Sequence, residues 1–442
     1  MKKGIALVLF NDDFRVKDQP ALYNACSDYE QVMPLFIFDE NLYGRKLGSA
    51  SKVFLRQVLS SFTKELKKSC ELDLVLAKGD TNEQLQKFIK DNKVDAIYFN
   101  HSYSANQIKI EEKIKSDNSD LDVKSFKAKV MFEPWDIKTG SDDHFKVFTP
   151  FFKMCMKNTD LIGEVLPIKK AQKAQKAQSL SIEDLGLVPK NEGNWPQQIL
   201  KYWVFDYDKL YQQTSDFLSS KLERYGNDRN MTDVEGTSNL SPYFRFGMIS
   251  PRQVYHAAIN YKKYEKFVSE ICWREFAYHV LYFYPDIATK EIREEYSTFE
   301  WEYNQEDFDK WCKGETGFDI IDAGMKEIYA CGIMHNRVRM ITASFLIKDL
   351  MIDWRKGEEY FWDCLVDADY AVNAFSWQWV FGSGFDAAPY FRVFNPILQQ
   401  DKFDPKHKYC DKWLGNRIMT PQMVDHSQQR NIVLEKYKKC RS

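Results

Sequence analysis

The chain has 442 residues, 44% of them apolar and 15% aromatic, and its 62 basic and 64 acidic side chains leave a net charge of −2. That much apolar surface excludes a disordered chain, and at roughly 100–200 residues per domain it predicts two or three domains with cores of their own. No apolar run approaches the roughly 20 residues that span a membrane. The balanced charge excludes a broadly basic protein, so any nucleic acid must be met by a local patch.

The start, Met1-Lys2-Lys3-Gly4 and an apolar run over 5–10, has the outline of a secretory leader. Asn11-Asp12-Asp13 stands where a cleavage site of small residues is needed, so a first β-strand is predicted instead. Apolar runs at 32–38, 72–77, 96–100 and 121–126 predict four more strands. They are too apolar to have one wet face, which fits a parallel sheet covered on both sides. Residues 53–68 and 83–91 space their apolar side chains by three and four, as crossover helices do. Residues 1–125 therefore predict a doubly wound α/β domain.

Residues 126–194 lose this rhythm and contain the polar repeat Lys173-Ala174-Gln175-Lys176-Ala177-Gln178, which reads as part of a linker. Within it, Phe148-Thr149-Pro150-Phe151 is apolar enough to pack on a domain. Over 195–442 strand signals vanish. Amphipathic segments at 267–284, 320–331 and 337–351, with breaks at Pro242, Pro251, Pro285 and Gly357, predict an all-helical domain. Ten of the eleven tryptophans lie between Trp195 and Trp413, as a bulky helical core requires.

Nine cysteines without a CxxC pair indicate reduced thiols in a cytoplasm, and seven histidines without HxxxH or HExxH spacing predict no metal site. P-loop, glycine-rich dinucleotide turn and nucleophile elbow are all missing. Chemistry-bearing residues cluster instead in the helical domain. In Glu235-Gly236-Thr237-Ser238-Asn239-Leu240-Ser241-Pro242 the hydroxyls can cap the following helix or hold a phosphate. In Glu270-Ile271-Cys272-Trp273-Arg274-Glu275-Phe276, Glu270 and Arg274 share a helix face, either as an ion pair or as the polar corner of a pocket beside Trp273. Met334-His335-Asn336-Arg337-Val338-Arg339-Met340 puts two arginines at a helix start, against the macrodipole preference, a local conflict that marks function. Asp367-Ala368-Asp369 and Asn373 fall in an aromatic-rich stretch ending Trp377-Gln378-Trp379. Two buried carboxylates there need partners, and Arg339 is a natural one.

These segments, in this order and followed by Asp386-Ala387-Ala388-Pro389-Tyr390-Phe391-Arg392-Val393-Phe394-Asn395-Pro396, resemble the photolyase/cryptochrome flavoprotein family along almost the whole chain. The nearest likeness is to bacterial class I enzymes that act on cyclobutane pyrimidine dimers. Phe148-Thr149-Pro150-Phe151 matches the family's linker, and Phe14-Arg15-Val16-Lys17-Asp18 is an altered form of an N-terminal family segment. The resemblance implies the family fold, an α/β domain plus a helical FAD-binding domain. It also implies repair of cyclobutane dimers by electron transfer from photoexcited reduced FAD to a flipped-out dimer. A blue-light photoreceptor and (6-4) photoproduct repair are the alternatives; Asn373, Met340, where (6-4) enzymes carry His, and the Glu270/Trp273 pair favour dimer repair.

By the same resemblance, Tyr225, Thr237, Ser238, Leu240 and Ser241 hold the pyrophosphate side of FAD. Arg274, Asn336, Arg339, Asp367, Asp369 and Asn373 line the rest, with Asn373 facing flavin N5. Glu270, Trp273, Asn336, Met340 and Trp379 form the lesion pocket, with the indoles as stacking walls and Glu270 at a pyrimidine edge. Trp301, Trp354 and Trp377 form an electron-transfer path. Arg229, Arg337 and Arg392, with Lys402 and Lys406 as weaker candidates, grip DNA phosphates. Ile333 departs from the Trp usual before Met334. Gly48-Ser49-Ala50-Ser51-Lys52-Val53-Phe54-Leu55 resembles a loop bordering an antenna groove. Ser104, where folate-binding members carry Glu, favours an 8-hydroxydeazaflavin-type antenna or none over folate. The expected partner is UV-damaged DNA, bound by a monomer.

Overall fold

The computed structural model describes residues 2–174, 177–188, 193–388, 391–415 and 420–440. Gln175 and Lys176 of the polar repeat and Pro389 and Tyr390 of the 386–396 segment lie outside the described residues. The chain begins with β1 (Lys2–Phe10), α1 (Pro20–Asp28), β2 (Tyr29–Phe38), α2 (Ser49–Cys70), β3 (Val75–Lys78), α3 (Thr81–Asn92), β4 (Ala96–Asn100), α4 (Ala105–Asp117) and β5 (Asp122–Phe126). The strands pair in parallel in the order β3-β2-β1-β4-β5, the topology that helical crossovers impose. Along β1, Ala6, Val8 and Phe10 enter one core while Leu7 and Leu9 enter another, so both faces are covered.

The segment expected as a linker is docked. α5 (Phe148–Lys157) buries Phe148, Phe151 and Cys155. Where the polar repeat begins, β6 (Gln172–Lys173) runs parallel to β2, with Gln31 opposite Gln172. The backbone of β2 offers a free edge there, because β3 pairs only with residues from Leu35 onward.

The remaining regular elements are α6 (Trp195–Leu200), α7 (Tyr207–Ser220), α8 (Tyr225–Asp228), α9 (Ser241–Arg245), α10 (Pro251–Ala258), α11 (Glu265–Phe283), α12 (Gln305–Lys313), α13 (Asp319–Cys331), α14 (Asn336–Ser344), α15 (Trp354–Cys364), α16 (Tyr370–Phe381), α17 (Pro396–Phe403), α18 (Lys408–Leu414) and α19 (His426–Lys439), besides short 3₁₀ turns. α14 runs into a π-helical turn, Phe345–Asp349, so the helix expected to continue to 351 changes pitch at Phe345. Pro242 and Pro251 begin helices rather than break them, in the position where a missing N–H costs nothing. Gly357 also breaks nothing. It lies inside α15, where a Cβ would come within 2.1 Å of the Trp377 ring, so glycine lets α15 and α16 close on each other.

The two domains share one core, in which Phe54 of α2 packs on Phe205, Tyr243 and Phe246. The altered segment at 14–18 is a joint between them. Buried Arg15 donates to the carbonyls of Asp18, Gly247 and Ala128, and Asp18 pairs with Arg252 at 2.8 Å. Residues 48–55, expected as a loop, instead start α2 against α15. Ser49 donates through N and Oγ to Asp363 at 2.8 and 2.9 Å, and a Cβ on Gly48 would meet the Trp362 carbonyl at 2.0 Å.

Candidate functional site

The hydroxyl cluster at 237–241 does not cap α9, which has no side-chain cap. Its loop is set by Asn239 in the left-handed region, φ 54°, and Thr237 donates to the Asn239 side chain at 3.1 Å. Ser241 points elsewhere, donating to Asp367 Oδ2 at 2.6 Å. Arg339 Nη2 donates to both Asp367 oxygens at 3.0 and 2.9 Å. The Asp367 carboxylate is only 5% exposed. Three segments separated by up to 126 residues thus converge on one buried carboxylate. Leu240 of this loop is buried, as is Tyr225 of α8, which stands edge-on to Phe217 and Phe267.

Asp369 caps α16, accepting from the N–H groups of Ala371 and Val372, and accepts from the Tyr278 hydroxyl at 2.5 Å. Burial alone would raise its pKa, but Arg274, Lys129 and Arg245 hold the carboxyl below its usual range. The expected Glu270–Arg274 pair does not form. Arg274 reaches toward the domain joint, donating to the Lys129 carbonyl at 2.8 Å and to Glu275 at 3.3 Å. Its Nη2 is buried without a partner. Burial pushes the Glu275 carboxyl up to about 7.

Asn373 is buried, and its amide nitrogen donates to Glu358 Oε1 at 2.8 Å and to the Glu358 carbonyl at 3.1 Å. Glu358 is in turn clamped by both terminal nitrogens of Arg45 at 2.7 and 2.8 Å, and the guanidinium stacks on Trp362 at 3.7 Å. Neither Glu358 nor Arg45 was legible as a site residue, since Arg45 lies 313 positions away in the α/β domain. The orphaned donors at Arg274 Nη2 and a ring nitrogen of His335 (Nε2) are groups that folding leaves unpaired only at a price or for a ligand. Together with the Asp367 and Asp369 carboxylates they suit a polar cofactor bearing phosphates, hydroxyls and a hydrogen-bonding ring. Burial, with the nearby arginines, lowers the His335 imidazole to about 4.

On the adjoining surface Glu270 is held by Arg229 at 2.7 Å and Lys266 at 2.6 Å. Trp273 is covered on one face by Phe148, stacked at 3.8 Å and 10°, so at most the opposite face remains for a ligand. Trp379 Nε1 donates to the Asp386 carbonyl at 3.1 Å, and the Phe148 N–H donates to the Asp386 carboxylate. Asp386, which sequence reasoning missed, thereby links the two indoles. Asn336 is exposed at the start of α14. Met340 sulfur lies 3.7 Å from Arg337 Nη1, and Arg337 Nη2 donates to Asn230 at 2.6 Å. Arg392, Lys402 and Lys406 are exposed.

Trp354 and Trp377 are buried and Trp301 is half-buried. Among the described ring contacts none joins two of these three. Trp377 meets Phe361 at 5.0 Å and Trp311 at 6.5 Å, and Trp301 meets Phe381 at 4.8 Å. Among the described residues no group of three or more His, Cys, Asp or Glu is placed to hold a metal, and no helix is long and apolar enough to cross a membrane.

A parallel sheet domain joined to a helical domain with this knot of buried ions defines a photolyase-type flavoprotein. Residues 6–173 match the family described as DNA photolyase, and residues 267–430 match the FAD binding domain of DNA photolyase. The deoxyribodipyrimidine photo-lyase of Agrobacterium fabrum is 35% identical over 94% of this chain and 88% of its own length. A crystal structure of a bacterial class III photolyase from Agrobacterium tumefaciens superposes with a TM-score of 0.92 at 32% identity, covering 100% of this chain and 98% of that one. An archaeal photolyase from Sulfolobus tokodaii, solved with two FAD molecules, gives 0.82 at 28% identity over 98% and 100%. The chain belongs to the DNA photolyase family.

Proposed function

We propose that this protein repairs cyclobutane pyrimidine dimers in DNA with light, acting as a cytoplasmic monomer on UV-damaged DNA. The observation that carries the reading is the Asp367 knot, which binds Ser241 and Arg339 to one buried carboxylate while donors nearby stay unpaired. FAD is held on its phosphate side by Tyr225, Thr237, Ser238, Leu240 and Ser241. Arg274, Asn336, Arg339, Asp367, Asp369 and Asn373 hold the rest. When bound, it supplies light absorption and the electron that ring splitting needs.

The chain's own groups bind and orient. Because Glu358 occupies the Asn373 amide nitrogen, the amide oxygen is left as an acceptor, and this position supplies no acidic proton. Arg274, Lys129 and Arg245 keep Asp369 charged. Arg229, Arg337, Arg392 and Lys402 grip backbone phosphates. As phosphates draw Arg229 and Lys266 away, Glu270 is freed to hydrogen-bond the edge of an extruded pyrimidine. Trp273, Trp379 and Met340 wall the pocket and exclude water. Trp301, Trp354 and Trp377 carry electrons inward: Trp301 through Phe381 of α16, and Trp354 from the helix whose Gly357 touches Trp377.

The proposal includes an antenna of deazaflavin type, or none, over folate. Ser104 is buried, with its hydroxyl engaged by Gln107 at 2.8 Å, and offers no charge. All nine cysteines are free, which supports a reducing compartment. The test is to illuminate the purified, reduced protein with a dimer-containing oligonucleotide under blue light. Restoration of intact pyrimidines is expected; none, with flavin bound, sinks the reading.

A further inference from the structure

The carboxyl ends of β4 and β5 carry a side-chain constellation that dimer repair does not use. His101 is the first residue after β4, Ser125 is the penultimate residue of β5, and Glu133 lies in the loop that follows. Ser125 Oγ stands 2.9 Å from His101 Nε2, and His101 Nδ1 stands 2.7 Å from Glu133 Oε1. A carboxylate can only accept, so in the neutral ring Nδ1 carries the proton and Nε2 accepts from the Ser125 hydroxyl. Glu133 is itself fixed, because its other oxygen accepts from the buried Tyr103 hydroxyl at 2.7 Å. A serine hydroxyl on an imidazole whose far nitrogen is oriented by a buried carboxylate is the arrangement that activates serine as a nucleophile. These contacts define it, whatever the chain motif around the serine.

The surroundings suit a reaction. Ser125 and His101 are half-buried and can be reached from solvent, while Glu133 is sealed. The His101 N–H donates to the Phe126 carbonyl at 2.8 Å, so the Phe126 backbone faces β4 and the Ser125 backbone faces the other way. β5 is the last strand of the sheet. The Ser125 N–H is thus turned to an open edge, where it can donate to an oxyanion forming on a carbon bonded to its own Oγ. Trp135, 37% exposed, stands 5.6 Å from the His101 ring with Tyr282 beside it at 5.3 Å. The two rings give a flat apolar group a surface to lie on.

We propose that Ser125, His101 and Glu133 form a second, light-independent site that hydrolyses carboxylic esters bearing a flat apolar group. Ser125 Oγ bonds to the ester carbonyl carbon as its proton passes to His101 Nε2. The bond from that carbon to the leaving alcohol breaks, and the alcohol oxygen takes the proton from Nε2. Water then repeats the exchange, giving its proton to Nε2 and its oxygen to the acyl carbon; the acid leaves and the proton returns to Ser125. Glu133 stays ionised and stabilises the imidazolium formed in each half. No flavin takes part.

The test treats full-length protein in the dark with a fluorophosphonate probe and, separately, with 4-nitrophenyl butyrate. The probe is expected to leave one adduct, mapped to Ser125 by mass spectrometry, and Ser125→Ala to abolish both adduct and ester turnover. His101→Gln should slow turnover by about a hundredfold, and Glu133→Gln should slow it by a similar factor through the wrong imidazole tautomer. Melting temperature and dimer repair should hold in Ser125→Ala, which separates a lost nucleophile from a lost fold. If the melting temperature falls, the adduct mapped on the unaltered protein decides alone. No adduct on the unaltered protein, an adduct elsewhere than Ser125, or turnover that survives in a folded Ser125→Ala overturns the site and leaves the repair reading intact.

Discussion

The sheet domain and the helical domain solve the same problem in opposite ways. In the sheet, alternate residues of β1 enter two apolar cores. In the helical domain, buried carboxylates and guanidinium groups are threaded among aromatic rings, and Arg274, Arg337 and His335 keep unpaired buried polar atoms. The two α/β residues with such atoms, Tyr43 and Arg45, belong to the loop that stacks on Trp362 and Tyr370 of the helical domain. Unfinished hydrogen bonding is therefore concentrated in the helical domain and in the loop that meets it, and the sheet acts as a stable platform.

The sharpest way to break this contrast is to cut the Asp367 knot. Arg339→Met leaves a buried carboxylate without its cation, which costs about 3–5 kcal/mol. Purified protein is expected to lose its flavin, read as the ratio of absorbance near 450 nm to that at 280 nm. Retained flavin would show that Arg339 is only structural. Leu35→Ala in β2 should cost a similar or slightly smaller amount, about 3 kcal/mol, through a cavity in the sheet core. Here the melting temperature falls but the flavin ratio holds; a parallel loss of flavin would erase the distinction between the domains.

A pH-dependent effect is expected at His335, whose imidazole is lowered by burial to about 4. Its unfolded state binds the proton first, near pH 6.5. The neutral form's stability is present above that pH and is lost as pH falls toward 4. Melting temperatures over this window should therefore drop less steeply in His335→Asn than in the unaltered protein. The smallest change is Glu270→Ala, expected to slow single-turnover repair by about tenfold, or about 1.4 kcal/mol, with a lesser loss of dark DNA affinity. Equal losses would make Glu270 an anchor alone.

How much was readable follows from the range of the forces involved. β4 matches its predicted span, Ala96–Asn100, because a strand buried on both faces is apolar throughout. α4 was missed because it buries only Gln107 and Ile114 and shows no stripe. The Arg339–Asp367 pair was legible from charge balance within an apolar neighbourhood. The Glu270–Arg274 pair was a false reading of the same kind: helical spacing offers a partner, but Arg229 and Lys266 compete on one side and the Lys129 carbonyl on the other. Gly357 looked like punctuation because sequence cannot show that an indole occupies the space of its missing side chain. The Arg45–Glu358–Asn373 chain depends on tertiary contacts alone.

The central claim is that the unpaired Arg274 and His335 atoms, with the Asp367 and Asp369 carboxylates, belong to a flavin site. Hydrogen exchange on flavin-loaded and flavin-stripped protein tests it directly. Loading should slow exchange in the 237–241 loop, at the start of α14 and across the first turn of α16, while β1, β2 and β4 stay unchanged. Protection spread evenly over both domains, or confined to the sheet, would contradict it.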